Sequence, residues 1–419
     1  MCTFDDGSGG MFMSWLANNG CVLEGIELQG RSVLVCKAVK RFETLIAIPK
    51  EVVIRHRTAC EDDDIGEMFR DKMDCPPFSN PARVLTVFLF YLKLQGRDTK
   101  WYWYIQNLPT YETFDDFVDN WEDDDLDCLD PTLKLLCQGV KADINRTYQQ
   151  TLAVIDEYIP RATTRCRDKL LEVRKCLSFE NYRFAYLCVE SRAFLDRFPG
   201  GEMRPLLIPF ADMLDHDPSF PSALGDNHQS CVGGQEFEDG AFIMRADRDI
   251  RRGGTVYNNY GRRTNRELLI TYGFILRNNI WEYVTIHPPW ANFINSTPRE
   301  FRSPLERQKY DVLYHQDTRD YKLFGTKIPD QKLLWLFDIW TCTSQASLSQ
   351  LINTRVNNLS ISVRAASCML REIEHTMQRM ARRPARVNMK PSRVALVNNF
   401  HETRLGILQA HVSFLKKYV

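Results

Sequence analysis

The 419-residue sequence predicts an α+β fold, with small β-sheets interrupted by a helical insertion and followed by an all-α C-terminal domain. Three observations carry that prediction. Short strand-like runs bounded by glycine and proline lie between Cys21 and Pro49 and recur after residue 200. From about Cys60 to Ser178, apolar residues recur in steps of three and four. After about residue 295 the helical spacing returns and runs to the end.

At the start, Met11, Phe12, Trp15 and Leu16 share one face of a short helix, and Gly20 permits a turn into strand-like CVLEGIEL. Ser32 to Cys36 and Thr44 to Ile48 add two strands, the second closed by Pro49. The insertion opens with acidic Glu61 to Asp64 and the loop CPPFSNP. Leu85, Phe88, Leu89 and Leu92 then mark a helix ending at Gly96. Leu133, Leu136, Val140, Ile144, Tyr148, Leu152 and Ile155 mark a longer one. The aromatic run Trp101 to Tyr104, beside a helix end, reads as packing.

Ser178 is placed to cap a helix whose face carries Phe179, Tyr182, Tyr186, Val189 and Ala193. Leu206 to Phe210 suits a buried strand, Phe242 to Met244 another, and Val256 with Tyr257 a third. Pro218 to Gly240, rich in Pro, Ser, Gly and Asn, reads as a loop. Asn265 to Tyr272 reads as a helix stopped by Gly273. Three further stripes follow, around Leu333 to Phe337, Val363 to Met380 and Val397 to Leu415. The expected layout is a sheet domain over 1–290, with its insertion at about 60–178, and a helical domain over 295–419.

Basic and acidic residues balance at 54 each, so net charge provides no steering toward nucleic acid or a membrane. Their distribution is uneven. Ten acidic residues and no basic one lie between Lys100 and Lys134, whereas Ser362 to Val419 carries eleven Lys or Arg against three Glu. Two solvated faces are the plain reading, and docking of an acidic protein or ribonucleoprotein on the C-terminal region is the functional one. Thirteen cysteines, none in a Cys-x-x-Cys or Cys-x-Cys pair, argue against a cysteine metal site and for reduced thiols in cytosol or nucleus. No stretch is apolar for the length of a transmembrane helix.

One stretch is poorly explained as core. RPLLIPFADMLDHDP, Arg204 to Pro218, ends an apolar run with Asp212, Asp215 and His216, and VYNNYGRRTNRELLITYGF, Val256 to Phe274, sets Tyr260 and Tyr272 beside glycines. A tyrosine there offers an apolar wall and one hydroxyl. In order, Ala211-Asp212-Met213-Leu214-Asp215-His216, Asn259-Tyr260-Gly261, Asn265-Arg266-Glu267-Leu268-Leu269 and Tyr272-Gly273-Phe274 resemble the motifs of SET-domain protein methyltransferases of the RuBisCO large-subunit methyltransferase class. Ser191-Arg192-Ala193-Phe194 also matches a helix ending of that class.

The resemblance implies a SET domain, a helical substrate-binding domain and transfer of a methyl group from S-adenosylmethionine to a lysine of a non-histone, or also histone, protein. It assigns the catalytic position to Tyr272. The donor falls to Gly30, Arg31, Ser32, Arg192, Asp215, His216, Tyr272 and Phe274, and the target side chain to Arg192, Phe194, Asp212, Tyr260 and Tyr283. No metal is implied, and the expected partner is a protein substrate met by a monomer. Two positions depart from the class. Ser32 stands where a second glycine is usual, which costs about 1 kcal/mol if positive φ is required there and nothing if only a small side chain is. Asp215 replaces an asparagine, keeping an acceptor for the donor's ammonium but losing the amide and adding charge. These departures support a competing reading as an inactive or weak SET-fold interaction module. Histidine methylation is the third reading.

Overall fold

In the computed structural model the described residues are 8–30, 32–197, 203–217, 237–238, 240–315, 320–325, 330–353, 361–381 and 388–419. The chain divides into two compact units. The first holds Met1–Trp121, Leu135–Arg263 and Glu267–Gly273; the second holds Glu122–Lys134, Thr264–Arg266 and Phe274–Val419. The inclusion of Glu122–Lys134 in the second unit had no signal in hydrophobic spacing.

The first unit is built on antiparallel strands. Strands β1 (Val22–Leu23), β2 (Ile26–Gln29), β3 (Ser32–Val35), β4 (Thr44–Pro49) and β5 (Ile54–Arg55) precede the insertion, and β6 (Phe194–Arg197), β7 (Met203–Leu207), β8 (Phe237–Glu238) and β9 (Ala241–Arg245) follow it. They pair as β1-β4-β9-β8, as β2-β3 and as β5-β7-β6. Val256 and Tyr257 do not form the expected strand. Only isolated bridges occur there, Leu34 with Thr255 and His216 with Asn258, so the backbone stays irregular and can turn its polar groups inward.

The insertion follows from its caps. Asn80 accepts from Ala82 N at 2.9 Å, Pro81 fits the first helical turn, and Gly96 at φ 58° ends helix Pro81–Gln95. Val84 to Leu92 are buried without interruption, because this helix lies in the core rather than on it. It packs on helix Phe179–Arg192, which Ser178 caps by accepting from Asn181 N at 3.2 Å. The Arg83 guanidinium lies 3.7 Å above the Tyr186 ring and pairs with Glu190. This packing fixes the end of Phe179–Arg192, where Arg192 emerges.

The second unit is helical, with helices Trp290–Ser296, Pro304–Tyr314, Gln331–Thr341, Gln345–Asn353, Val363–Ala381 and Pro391–Leu415. It also contains a two-stranded antiparallel sheet that helical spacing after residue 295 did not anticipate, β10 (Tyr283–Ile286) with β11 (Tyr321–Phe324). Its core centres on Trp290, Leu336, Phe337, Ile373 and Leu408.

Part of the uneven charge is matched within this unit. Asp125 pairs with Arg393 and Asp130 with Arg404, each at 2.6 Å with side chains mostly buried, and His401 Nε2 lies 3.0 Å from Cys128 O. Asp125 and Asp130 are thus matched by basic helix Pro391–Leu415 inside one unit, while Glu122, Asp123, Asp124 and Asp127 stay exposed to solvent. Removing one member of such a buried pair costs about 3–5 kcal/mol. No helix among the described residues is long and apolar enough to cross a membrane.

Candidate active site

In the first unit, a tight turn after β7 starts the site. Phe210 is fully buried at φ 72°, a conformation bulky residues avoid, and Asp212 N reaches back to Ile208 O at 3.2 Å. The turn drives Asp212 inward, with no exposed side-chain surface. Arg192 meets it from the end of its helix: Nη1 donates to Asp212 O at 3.0 Å and lies 3.6 Å from Oδ1. Tyr104 donates its hydroxyl to Asp212 Oδ2 at 2.6 Å. Burial pushes the Asp212 carboxyl up, and the Arg192 charge and the Tyr104 bond pull against it. Burial likewise holds the Tyr104 hydroxyl protonated, as a donor.

A second strand of the site runs beside this turn. Asn258 N donates to Asp215 O at 2.7 Å and Asp217 N to Asn258 O at 3.1 Å, which locks 215–217 alongside 258. Tyr260 N lies 3.1 Å from His216 Nδ1, and Asn258 O lies 3.4 Å from the same nitrogen, so the ring is held between the two backbone segments. The His216 and Tyr260 rings stack at 4.8 Å and 15°, and the Tyr260 and Tyr272 rings lie 4.6 Å apart. Tyr260 donates its hydroxyl to Leu214 O at 2.7 Å.

These residues close on one narrow pocket, lined by Ser191, Arg192, Ala193 and Phe194, by Asp212 and Leu214, and by Asn258, Tyr260 and Tyr272. Its volume of about 20 Å³ admits a thin group such as the end of an unbranched side chain. Among the described residues, three buried atoms of its lining have no hydrogen-bond partner: Arg192 Nε, Asp212 Oδ1 and Asn258 Oδ1. One charged donor and two acceptors, one of them anionic, suit a ligand that brings both a carboxylate and an ammonium.

The structure thus brings Arg192, Phe194, Asp212, Tyr260 and Tyr272 together. His216 stands behind Tyr260 as a support. Asp215 is exposed and does not line this pocket, whereas Asn258, joined to His216 by a bridge, does. Gly30, at φ 61°, makes the β2–β3 turn with open space where a Cβ would stand, and it does not line this pocket either. Ser32 is not among the residues with positive φ, so the serine is unstrained and the left-handed conformation falls on Gly30 alone. Arg31 lies outside the described residues. Phe274 and Tyr283 belong to the second unit, where Tyr283 lies across from Phe324, ring centroids 5.6 Å apart, under Lys322 Nζ at 4.4 Å.

Sequence reasoning missed Tyr104 and Asn258. A tyrosine with its ring buried must place its hydroxyl somewhere, so Tyr104 inside an apolar cluster was a signal. Asn258, a second amide beside Asn259 in an otherwise strand-like run, was another.

Two expected results follow from this geometry. Gly273, at φ 73°, ends the helix that holds Tyr272, and a Cβ there would stand 2.6 Å from the Phe117 ring. Gly273→Ala is expected to cost at least about 1–2 kcal/mol from the backbone alone, read as a lower midpoint in thermal unfolding. The second concerns pH. Burial lowers the pKa of His216 and of His411, whose Nδ1 lies 2.8 Å from Ile407 O. The unfolded chain therefore binds protons that the folded chain resists, and stability falls as pH drops through 6.5. Each histidine contributes at most about 1.4 kcal/mol per pH unit. The unfolding midpoint should be lower at pH 5.5 than at pH 7.5, and His411→Gln should flatten that difference.

Comparison with known proteins agrees with this picture. The chain matches no family profile. It is 24% identical over 399 residues to the ribosomal lysine N-methyltransferase set10 of Schizosaccharomyces pombe, covering 90% of this chain and 64% of that one. It is 25% identical over 285 residues to the human actin-histidine N-methyltransferase, covering 65% and 43%. The chain thus spans less than two thirds of the length of these curated relatives. Among solved structures, Rubisco LSMT bound to sinefungin and monomethyllysine superposes with a TM-score of 0.63 at 17% identity, over 98% of this chain and 92% of that one. The SET domain of LSMT bound to lysine and AdoHcy gives 0.61 at 16%, over 99% and 92%. At these identities the likeness concerns the fold, and the chain has the fold of the Rubisco LSMT SET-domain structures.

Proposed function

We propose that this chain is a protein-lysine N-methyltransferase that uses S-adenosylmethionine. The observation that carries the reading is the convergence of Arg192, Asp212, Asn258, Tyr260 and Tyr272 on one narrow pocket with unpartnered buried donor and acceptor atoms. S-adenosylmethionine, when bound, supplies an electrophilic methyl group. Arg192 Nε is the donor for its carboxylate, with Asn258 Oδ1 as an acceptor for its ammonium, and the Gly30 turn is a place where backbone can approach it. The Tyr260 and Tyr272 rings form walls that strip water from an incoming amine, which lowers its pKa and leaves it neutral and nucleophilic. Tyr272 is the catalytic residue in this reading, and Phe194 and Asp212 serve the substrate.

Lysine is favoured over histidine by Asp212. A buried carboxylate, held by Arg192 and Tyr104, attracts an approaching ammonium more than a neutral imidazole. The Schizosaccharomyces pombe relative extends the match to 90% of the chain, so ribosomal protein is the first substrate to try. The second unit is the substrate-binding domain, and the protein works as a monomer in the cytosol or nucleus. The unpaired cysteines among the described residues support a reducing compartment.

The test is incubation of the purified chain with labelled donor and with ribosomes or cell extract, followed by mass spectrometry of the labelled peptide. Label on lysine supports the proposal. Label on histidine would replace it with the runner-up. No label, together with no calorimetric binding of donor at millimolar concentration, would leave a non-enzymatic SET fold.

A further inference from the structure

In the first unit, the connection from β3 to β4, residues 36–43, and the chain after β9, residues 246–254, run antiparallel as a ribbon. Val39 and Ile250 exchange both backbone bonds at 2.9 Å, Phe42 N donates to Ala246 O at 2.7 Å, and Gly253 N donates to Val35 O at 2.7 Å, so the ribbon is held along its length. Val39 and Ile250 are the buried pair. The six basic side chains of the ribbon, Lys37, Lys40, Arg41, Arg248, Arg251 and Arg252, are all exposed, and they stand against three acidic ones, Glu43, Asp247 and Asp249. The balanced charge of the whole chain conceals this local excess.

Two lysines of the ribbon have partners. Lys37 lies 3.4 Å from Glu24 and Lys40 lies 2.9 Å from Asp249, in pairs more than half exposed and so screened by water. Arg248 lies 3.2 Å from Asp247. Arg41, Arg251 and Arg252 make no ion pair among the described residues. Arg251 and Arg252 stand at a turn closed by Gly254 N on Arg251 O at 2.8 Å, with Gly253 at φ 77°.

Phe42 is the second observation. It has φ 72° and is 64% exposed, and the Arg41 guanidinium lies 4.5 Å from the centre of its ring. Asp249 accepts from Arg41 N at 3.0 Å as well as from Lys40, which fixes the turn that presents the ring. Phe210 has the same φ, but its ring is fully buried, and that burial offsets the strain. Phe42 gains little by burial. Glycine would take φ 72° without strain and keep the N–H bond to Ala246, so stability does not account for an exposed phenylalanine here.

We propose that this ribbon binds a single-stranded nucleic acid, with a base stacked on the Arg41–Phe42 pair and phosphates on Arg251 and Arg252. An exposed flat ring beside cations suits unpaired bases, whereas the carboxylates of an acidic protein offer charge and no plane to stack. The three cations without ion pairs are all arginine, whose fork grips phosphate oxygens two at a time. The proposal does not depend on methyl transfer. It concerns a surface that joins the candidate active site, because the chain runs directly from Gly254 to Asn258 of that pocket.

The test is fluorescence anisotropy of the full chain with dye-labelled oligouridylate and oligothymidylate of about ten residues at low salt. Saturable binding should weaken with salt on a double-logarithmic slope of about −2, because three neutralised phosphates contribute about −0.7 each. Arg251→Gln and Arg252→Gln should each weaken binding severalfold and flatten the slope by about 0.7. Phe42→Gly should weaken binding about fivefold or more while the melting temperature stays level or rises, a combination that a merely structural Phe42 would not give. If Phe42→Gly melts lower, the arginine variants decide. Tighter binding of oligouridylate identifies RNA as the source, and equal affinity identifies the features RNA and DNA share. The proposal is overturned by no saturable binding at about 100 μM chain, or by unchanged affinity in the arginine variants. Equal competition by polyglutamate or by phosphatidylserine vesicles also overturns it, assigning the ribbon to an acidic protein or to a membrane surface.

Discussion

Tyr272→Phe is expected to cut methyl transfer by a factor of tens to hundreds while donor binding stays within about twofold of the parent. The ring is one wall of a pocket of about 20 Å³ and stacks toward Tyr260 at 4.6 Å, and phenylalanine preserves both features. Only the hydroxyl is lost. Its contribution is to orient an amine and a methyl along the reaction path, and a group used mainly in the transition state lowers turnover and spares ground-state binding. Loss of one such oriented interaction costs roughly 2–4 kcal/mol. Single-turnover label transfer to the substrate band measures the rate, and calorimetry with donor measures binding. Label transferred at the parent's rate would reduce Tyr272 to a wall residue.

Arg192→Leu is expected to destabilise the first unit by about 3–5 kcal/mol and to abolish donor binding. Asp212 has no exposed side-chain surface, and Arg192 is the cation beside it, at 3.0 Å from its carbonyl and 3.6 Å from Oδ1. With the guanidinium gone, hydrogen bonds from Tyr104 and the backbone remain to stabilise a buried carboxylate, and the folded state holds the carboxyl protonated more firmly than the unfolded chain does. Because the folded variant then binds the extra proton, its deficit is larger at pH 8 than at pH 4. Adding Asp212→Asn to Arg192→Leu removes the orphaned charge, so the double variant should recover much of the melting temperature without recovering donor binding. A double variant no more stable than Arg192→Leu would show that the loss comes from packing of the arginine stem.

Several features of this chain were legible because they are local. Asn80 and Ser178 cap helices, Gly96 and Gly273 end them, and period-four apolar stripes place the long helices, since each depends on dihedral preference and side-chain chemistry within a few residues. The ordered motifs from Ala211 to Phe274 disclosed the fold and most of the pocket for the same reason. Where the sequence was silent, the deciding partner was far away in the chain. Asn258 reaches the pocket through a bridge that joins 216 to 258, and that register is not encoded in either segment alone.

What the sequence by itself determined is therefore the inventory: which helices and strands form, and that Arg192, Asp212, Tyr260 and Tyr272 belong to one site. What only the tertiary structure decided is who faces whom. Tyr104 becomes Asp212's hydrogen-bond donor across 108 positions, and the acidic run at 122–130 finds Arg393 and Arg404 more than 260 positions away. A buried charge must be matched by an opposite charge or a donor wherever the fold brings one near, and that proximity is a property of packing, not of sequence separation.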